Sequence, residues 1–246
     1  MIGLFHSEMT NRNPALTEFM TNIKASLHAV ITAGPTYEPM DQVRRLTNFS
    51  TGSLGAQLAG FLMTRGIKVT LLTGYYATYN GPYQADVRQS FTTTEDLATK
   101  LEALKETKVD AVFHAAAVSD FRVEGLYRQT SSGELESLKS GKVSTRDGAV
   151  MAKLVPTPKL LEQLRQWFPN AWITGWKYEV EGSYSELCQK VTQQLANCQT
   201  DACVLNGPAL GDGFELFLRE TVKPEVAADR SSLFDLLLKH GLSRDN

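Results

Sequence analysis

The stretch His28–Gly66, HAVITAGPTYEPMDQVRRLTNFSTGSLGAQLAGFLMTRG, decides the fold. Ala29-Val30-Ile31-Thr32 is apolar and β-branched and reads as a buried parallel strand. Ala33-Gly34-Pro35 stops it with a turn signal. A polar loop follows and ends in Ser50-Thr51-Gly52-Ser53-Leu54-Gly55. Leu54, Leu58, Phe61 and Leu62 then recur at helical spacing, Gly66 marks the helix stop, and residues 67–72 (IKVTLL) read as the next strand. The loop is longer than packing alone requires. Small residues ahead of a helix let backbone N–H groups approach an anion, and the helix N-terminus favours negative charge. The loop therefore either lines a phosphate or carboxylate site, through Asn48, Ser50, Thr51 and the glycines Gly34, Gly52 and Gly55, or only caps its helix.

Further along the chain the same alternation recurs. Val87–Phe91 reads as a short strand, Thr92–Asp96 as a capping box for a helix through Leu97, Leu101 and Leu104, and Val109–Ala117 as a buried strand. Strands at 150–155, 172–176, 202–205 and 214–218 alternate with helices at 159–167, 183–197 and 231–240. Strands alternating with helices predict an α/β fold: a Rossmann-like, mostly parallel sheet with helices on both faces. Residues 123–148 break the pattern, being polar and rich in Gly and Ser, and read as a flexible flap. Residues 28–246 read as a single domain, and residues 1–27 as an N-terminal extension with a helix near Ala15–Ala25. In a parallel sheet ligands sit at the carboxyl ends of the strands. Gly34, Gly74, Val118-Ser119-Asp120, Lys177 and Asn206 should therefore converge on one cleft.

The glycines do not form a dinucleotide fingerprint, which needs three in a tight turn directly after the strand. No Gly-Lys-Ser/Thr pair is present, so a Walker-type phosphate loop is absent. A net charge of −2 over 246 residues offers no basic field for nucleic acid. No apolar run is long enough for a membrane helix and no secretory signal stands at the N-terminus, so a cytoplasmic protein is expected. Cys188, Cys198 and Cys203 read as free thiols, and the scattered His6, His28, His114 and His240 give no metal-ligand spacing.

Few side chains suggest chemistry of their own. Asp120 follows the small residues Ala115-Ala116-Ala117 and can hold ribose hydroxyls or a metal, or be a surface acid. Arg44 or Arg45 can grip a carboxylate or phosphate in a fork, and the other can be solvated. Lys139 and Lys142 lie in the flap, where a lysine closes on phosphates or faces solvent. Trp176 either belongs to the core or walls a nucleotide pocket, and His114 reads as a satisfied core or interface histidine. With no Ser-His-Asp or Cys-His arrangement, chemistry here rests on positioning and charge neutralisation.

Four stretches together carry a resemblance: ITAGPTYEPMDQVRRLTNFSTGSLG (31–55), HAAAVSDFR (114–122), GKVSTRDGAVMAKLVPTPKLL (141–161) and ITGWKYEVEG (173–182). In this order they resemble the signature segments of phosphopantothenoylcysteine synthetase, also called phosphopantothenate–cysteine ligase. The resemblance implies activation of 4′-phosphopantothenate by CTP or ATP with Mg2+, then attack of L-cysteine on the acyl-nucleotide. It implies a homodimer, and a stand-alone synthetase without the flavin-dependent decarboxylase half, hence no flavin. Position by position it implies that Asn48 holds the acyl group, Arg44 and the small pair Ala116 and Ala117 face substrate, and Asp120 binds nucleotide. Lys142 matches the flap lysine better than Lys139. Thr157, Pro158, Lys159 and Leu160 match the turn along the nucleotide, and Trp176 stands where the family has Phe. The chain departs from the pattern in a longer 123–141 segment, in Leu205-Asn206-Gly207, and in Gln194 and Cys198 where some members have lysines. Two other readings remain: a non-catalytic nucleotide-binding relative, and a nicotinamide-dependent reductase. The missing glycine fingerprint and the absence of a Tyr-x-x-x-Lys pair argue against the reductase.

Overall fold

The computed structural model describes residues 27–138, 141–144, 148–221 and 223–243. The first strand, β1 (His28–Pro35), buries all eight of its residues. Its partners are β4 (Lys68–Gly74) on one side and β6 (Ala111–Ala117) on the other, both parallel. Beyond β4 lies β5 (Val87–Phe91); beyond β6 lie β10 (Trp172–Tyr178) and β11 (Ala202–Gly207), all parallel. Two antiparallel strands, β12 (Gly211–Leu218) and β13 (Glu225–Ala227), finish that edge. The sheet order is β13-β12-β11-β10-β6-β1-β4-β5. The order in which the chain lays down the parallel strands reverses between β1 and β6, which is where an open α/β sheet leaves a crevice beyond its carboxyl ends.

Helices cover both faces, as the alternation predicts. On one face α1 (Ser53–Met63) and α5 (Arg230–Leu242) set Leu58, Leu62, Leu233 and Leu237 against Ile31, Val69 and Phe113. On the other, α2 (Thr94–Ala103) and α3 (Leu160–Trp167) set Leu97, Leu101, Leu160 and Leu164 against Val30, Val112 and Ile173. Helix α4 (Tyr184–Cys198) continues that layer with Leu187, Val191 and Leu195 over Cys203 and Leu205. Ser183 and Glu186 close a capping box at the start of α4. At α2 the expected box is only half made. Thr93 caps the Asp96 amide, but the Asp96 carboxylate turns back to the Thr92 amide and hydroxyl at 2.8 and 3.0 Å.

Two regions differ from the sequence reading. The polar loop after β1 contains a hairpin, β2 (Tyr37–Pro39) with β3 (Arg45–Thr47). It is pinned by the buried Glu38, which accepts a 3.0 Å bond from the Thr94 amide at the positive end of α2. Second, much of the segment read as an irregular flap is regular structure. β7 (Phe121–Gln129) pairs antiparallel with β8 (Leu135–Ser137) and with β9 (Val150–Pro156). The reason is exposure: of the nine residues of β7 only Leu126 is buried. A sheet solvated on both faces has no apolar alternation to read. Lys139 and the helix expected near Ala15–Ala25 lie outside the described residues.

Candidate active site

The crevice at the carboxyl ends of β1 and β6 has a floor without side chains. Gly34, the last residue but one of β1, has φ +84°, and a Cβ there would meet the Ala77 methyl at 2.8 Å. Only glycine suits both conditions. Gly55, in the first turn of α1, lies so close to β1 that an added Cβ would meet the Ala33 methyl at 2.6 Å. The helix therefore packs directly on the strand with its N-terminus beside Gly34. Its N-cap, Gly52, has no side chain to cap with, and its first turn holds no acid. Thr51 Oγ1 bonds the Ser53 hydroxyl at 3.1 Å, and half-buried Ser50 precedes it. The Ser53 amide donates to Thr51 Oγ1 at 3.3 Å, and beyond that bond the positive end of the helix is left to a ligand anion.

Asn48 reaches across this floor. Its Nδ2 donates to the Ala117 carbonyl at 3.1 Å, tying the loop after β3 to the end of β6. The same carbonyl accepts from the Thr36 amide at 3.2 Å. Behind it, the Ala116 amide donates to Thr32 Oγ1 at 3.1 Å, and Thr32 Oγ1 lies 2.9 Å from His114 Nδ1. Ala116 and Ala117 are half-buried and present only methyl groups.

The nucleotide candidates gather on the far side of β6. The Ser119 amide donates to Thr36 Oγ1 at 2.8 Å, the Thr157 hydroxyl donates to the Ser119 carbonyl, and the Thr157 amide donates to the Asp120 carbonyl at 3.0 Å. The ends of β1, β6 and β9 are thereby knitted together. Asp120 pairs with Lys159 Nζ, and both side chains are more than half exposed. Such a surface pair is worth only about 0–1 kcal/mol, so either partner is available to a ligand. Pro158 is exposed beside them. Leu160 differs: its side chain is 2 % exposed and lies in the core, so only its main chain can face the crevice. Trp176 is half-buried against the α1–α5 layer, and its indole Nε1 is buried with no hydrogen-bond partner among the described residues.

Arg44 is not an open fork. Its Nη1 donates to Asp41 Oδ2 at 2.6 Å and its Nη2 to the Val143 carbonyl at 3.1 Å. Asp41 also accepts from the amides of Val43, Arg44 and Val143, at 2.8, 2.7 and 3.4 Å. The Val43 amide, ahead of the others, holds its carboxyl below the usual carboxylate range. The Gln42 amide donates to the Gly141 carbonyl at 2.9 Å. The β2–β3 hairpin and segment 141–143 are therefore stapled together, and exposed Lys142 sits within the staple. Between the hairpin, Tyr76 and Gly141 lies a cleft of about 790 Å³, where the Arg45 guanidinium stands 3.3 Å from the Tyr76 ring centre.

The sequence reading missed the acid that organises the end of β10. Glu179 Oε2 accepts from Lys190 Nζ at 2.5 Å, and Glu179 Oε1 lies 3.6 Å from Lys177 Nζ. Lys177 was legible as a strand-end residue; Lys190 is brought there only by the packing of α4. Neither His114 nor the two buried cysteines is set up as a strong base or a ready nucleophile near pH 7. Burial pushes His114 down to about 4 and raises Cys198 and Cys203 to about 11 and about 12. Among the described residues no three His, Cys, Asp or Glu side chains converge as a metal site.

Residues 25–221 match the family described as the DNA/pantothenate metabolism flavoprotein C-terminal domain. The coenzyme A biosynthesis bifunctional protein CoaBC of Thermococcus kodakarensis is 31% identical over 178 residues, which is 72% of this chain and 40% of that protein. The CoaBC of Methanocaldococcus jannaschii is 28% identical over 183 residues, 74% of this chain and 41% of that protein. The chain thus spans about 40% of the length of these curated relatives. Among solved structures, the DNA/pantothenate metabolism flavoprotein of Streptococcus pneumoniae superimposes with a TM-score of 0.76 at 24% identity, covering 87% of this chain and 97% of that one. A Cab2 variant in complex with phosphopantothenate-cysteine superimposes with a TM-score of 0.65 at 20% identity, covering 94% and 97%. On the family match, which spans most of its length, this chain belongs to the DNA/pantothenate metabolism flavoprotein C-terminal domain family.

Proposed function

We propose that the chain is a phosphopantothenate–cysteine ligase. It joins 4′-phosphopantothenate and L-cysteine through an acyl-nucleotide, with CTP or ATP as activator, on the route to coenzyme A. One observation carries the reading: three of the signature stretches, far apart in sequence, meet at the reversal point of the sheet, and the fourth, β10, pairs with β6 beside it. There Asn48 bonds the Ala117 carbonyl, between the open N-terminus of α1 and the Asp120–Thr157–Lys159 corner. The CoaBC names of the relatives and the phosphopantothenate-cysteine bound to Cab2 support the substrate class.

The chemistry needs positioning more than proton transfer. A carboxylate oxygen of 4′-phosphopantothenate attacks the α-phosphorus of the nucleotide, and pyrophosphate leaves. The cysteine amine then attacks the acyl carbon, loses a proton, and displaces the nucleoside monophosphate. The α1 N-terminus with Ser50, Thr51 and Gly52 takes an anionic group, and the methyls of Ala116 and Ala117 let the acyl chain approach the backbone. Asn48 supplies an amide that orients the acyl-nucleotide without adding charge. Asp120 takes the nucleotide through ribose or metal, and Thr157, Pro158 and Lys159 flank it. Magnesium fits this donor set, since it keeps phosphate oxygens and asks only one or two carboxylates of a protein, and it would neutralise the triphosphate. Lys142 reaches the phosphates from segment 141–144, which Arg44 holds to the hairpin.

We also infer a homodimer. Phe49 beside Asn48 is wholly exposed, and Phe121, Leu135 and Leu154 of the β7–β9 arm are about half exposed; exposed apolar side chains of this kind are what a second copy would cover. The three cysteines are free thiols and no helix among the described residues is long and apolar enough to cross a membrane, which supports a cytoplasmic setting. Pyrophosphate release from each of the four ribonucleotides, with and without 4′-phosphopantothenate, tests the reading. A ligase releases it only with the acid present, a non-catalytic relative binds nucleotide without turnover, and a reductase changes nicotinamide absorbance instead.

A further inference from the structure

Directly beneath the strand ends that carry Ala116 and Ala117 lie two buried polar side chains that the ligase chemistry does not use, Thr32 and His114. β1 ends at Pro35, opposite Ala117. The Thr36 amide closes this last pairing by donating to the Ala117 carbonyl. The Ala116 amide donates to Thr32 Oγ1, and the Ala117 carbonyl accepts from Thr36 and from Asn48. Thr32 is inaccessible to solvent, and among the described residues its hydroxyl has one further contact, His114 Nδ1 at 2.9 Å. With the Ala116 amide already donating, the hydroxyl proton is satisfied only by donating to Nδ1. That makes the ring the Nε2–H tautomer. Burial keeps it neutral near pH 7, so the acceptor is present.

We propose that Thr32 and His114 are positioning residues for Asn48, acting through hydrogen bonds from His114 Nδ1 to the Thr32 hydroxyl and on to the Ala116 amide, continued by the backbone of β6 to the Ala117 carbonyl. The inference rests on the ligase reading for its kinetic consequence, but the line itself is a property of the fold. Thr32→Val keeps the shape and removes the hydroxyl, leaving the Ala116 amide unpaired and the end of β6 free to shift. Asn48 then loses its fixed acceptor. The cysteine-transfer step slows while nucleotide activation continues, so acyl-nucleotide accumulates. Thr32→Ser restores the hydroxyl and the transfer rate.

The test has two arms. In the full-length protein, nitrogen-15 spectra of the histidines, assigned with His114→Asn, should show His114 as the Nε2–H tautomer. The Asn48 side-chain amide signal should move in Thr32→Val and return in Thr32→Ser. A Nδ1–H tautomer, or an Asn48 signal indifferent to Thr32→Val, overturns the proposal whatever the reaction proves to be. In single-turnover assays, Thr32→Val should slow cysteine transfer roughly tenfold, the scale of one lost buried hydrogen bond, with pyrophosphate release kept. Equal slowing of both half-reactions without rescue by Thr32→Ser means a merely structural role and also overturns it. A wild-type protein that releases no pyrophosphate counts against the ligase reading alone, because the spectra still judge the line.

Discussion

At the crevice, β1 buries all eight of its residues, while in the arm that carries the flap segment β7 buries one of nine. The crevice is made by close backbone approach, Gly55 against Ala33 and Gly34 against Ala77, and its polar groups are bonded to main chain. The arm is held by its own ladder and by the Asp41–Arg44–Val143 staple, and its apolar side chains Phe121, Leu135, Val150, Met151 and Leu154 are exposed. The contrast matches a division of labour. On the ligase reading proposed above, positioning an acyl-nucleotide calls for a site that does not move, whereas admitting a triphosphate and then excluding water calls for one that opens and closes.

The largest expected effect is at the rigid end. Asn48→Asp replaces an amide by a charge against substrate oxygens, and cysteine transfer should fall roughly 100-fold or more, the scale of a lost preorganised donor. Acyl-nucleotide should accumulate in quenched reactions; loss of pyrophosphate release instead would mean that Asn48 does not act at the transfer step.

The buried layer beneath Asn48 should also respond to acid. The His114 pKa is lowered from 6.5 to about 4, so the unfolded chain binds a proton there before the folded one does. Stability should therefore fall as pH drops from about 6.5 towards 4, by up to about 3 kcal/mol. His114→Asn, which cannot titrate, should flatten this window in urea melts; an unchanged slope would mean that His114 is not buried neutral.

In the segment stapled to the hairpin, Lys142→Ala should slow activation roughly 10- to 100-fold, corresponding to a charge-assisted contact of about 1.5–3 kcal/mol. The melting temperature should hold, because Lys142 is exposed. Hydrogen exchange over the described part of 123–148 should slow when nucleotide and magnesium are added. Equal protection in both states with a fully active variant would make the arm static.

The smallest effect is expected at the corner between the two regions. Asp120→Ala exchanges one exposed carboxylate, and nucleotide binding should weaken roughly tenfold. Calorimetry should show 4′-phosphopantothenate binding little changed, and equal losses for both ligands would separate Asp120 from the nucleotide.

The same contrast explains what could be read in advance. Buried parallel strands are continuous apolar runs and helices repeat at 3.6 residues, so β1, β4, β6 and β10 and the helices over them stand out in the sequence. Asp120 and Gly34 were legible because they stand at the ends of those strands, and Asn48, Gly52 and Gly55 because they lead into or open a helix. The hairpin β2–β3 and strands β7 and β8 were not, since their stability comes from pairing and staples that leave no apolar period. Arg44 was legible as a cation but not as the partner of Asp41, a contact set by the turn of the hairpin. Leu160 sat in the right segment, and only the helical phase of α3 turned its side chain into the core. Lys190 reaches Glu179 through the packing of α4 beside β10, which no local pattern announces.

A fixed crevice that activates 4′-phosphopantothenate and hands it to cysteine is tested most directly by stoichiometry. The assay takes the wild-type chain with magnesium, each ribonucleotide in turn, 4′-phosphopantothenate and L-cysteine. CTP or ATP should support pyrophosphate release that depends on 4′-phosphopantothenate. Added cysteine should then yield one 4′-phosphopantothenoylcysteine and one nucleoside monophosphate for each pyrophosphate. Nucleotide binding with no pyrophosphate from any of the four, under conditions where the chain is folded, would contradict a ligase.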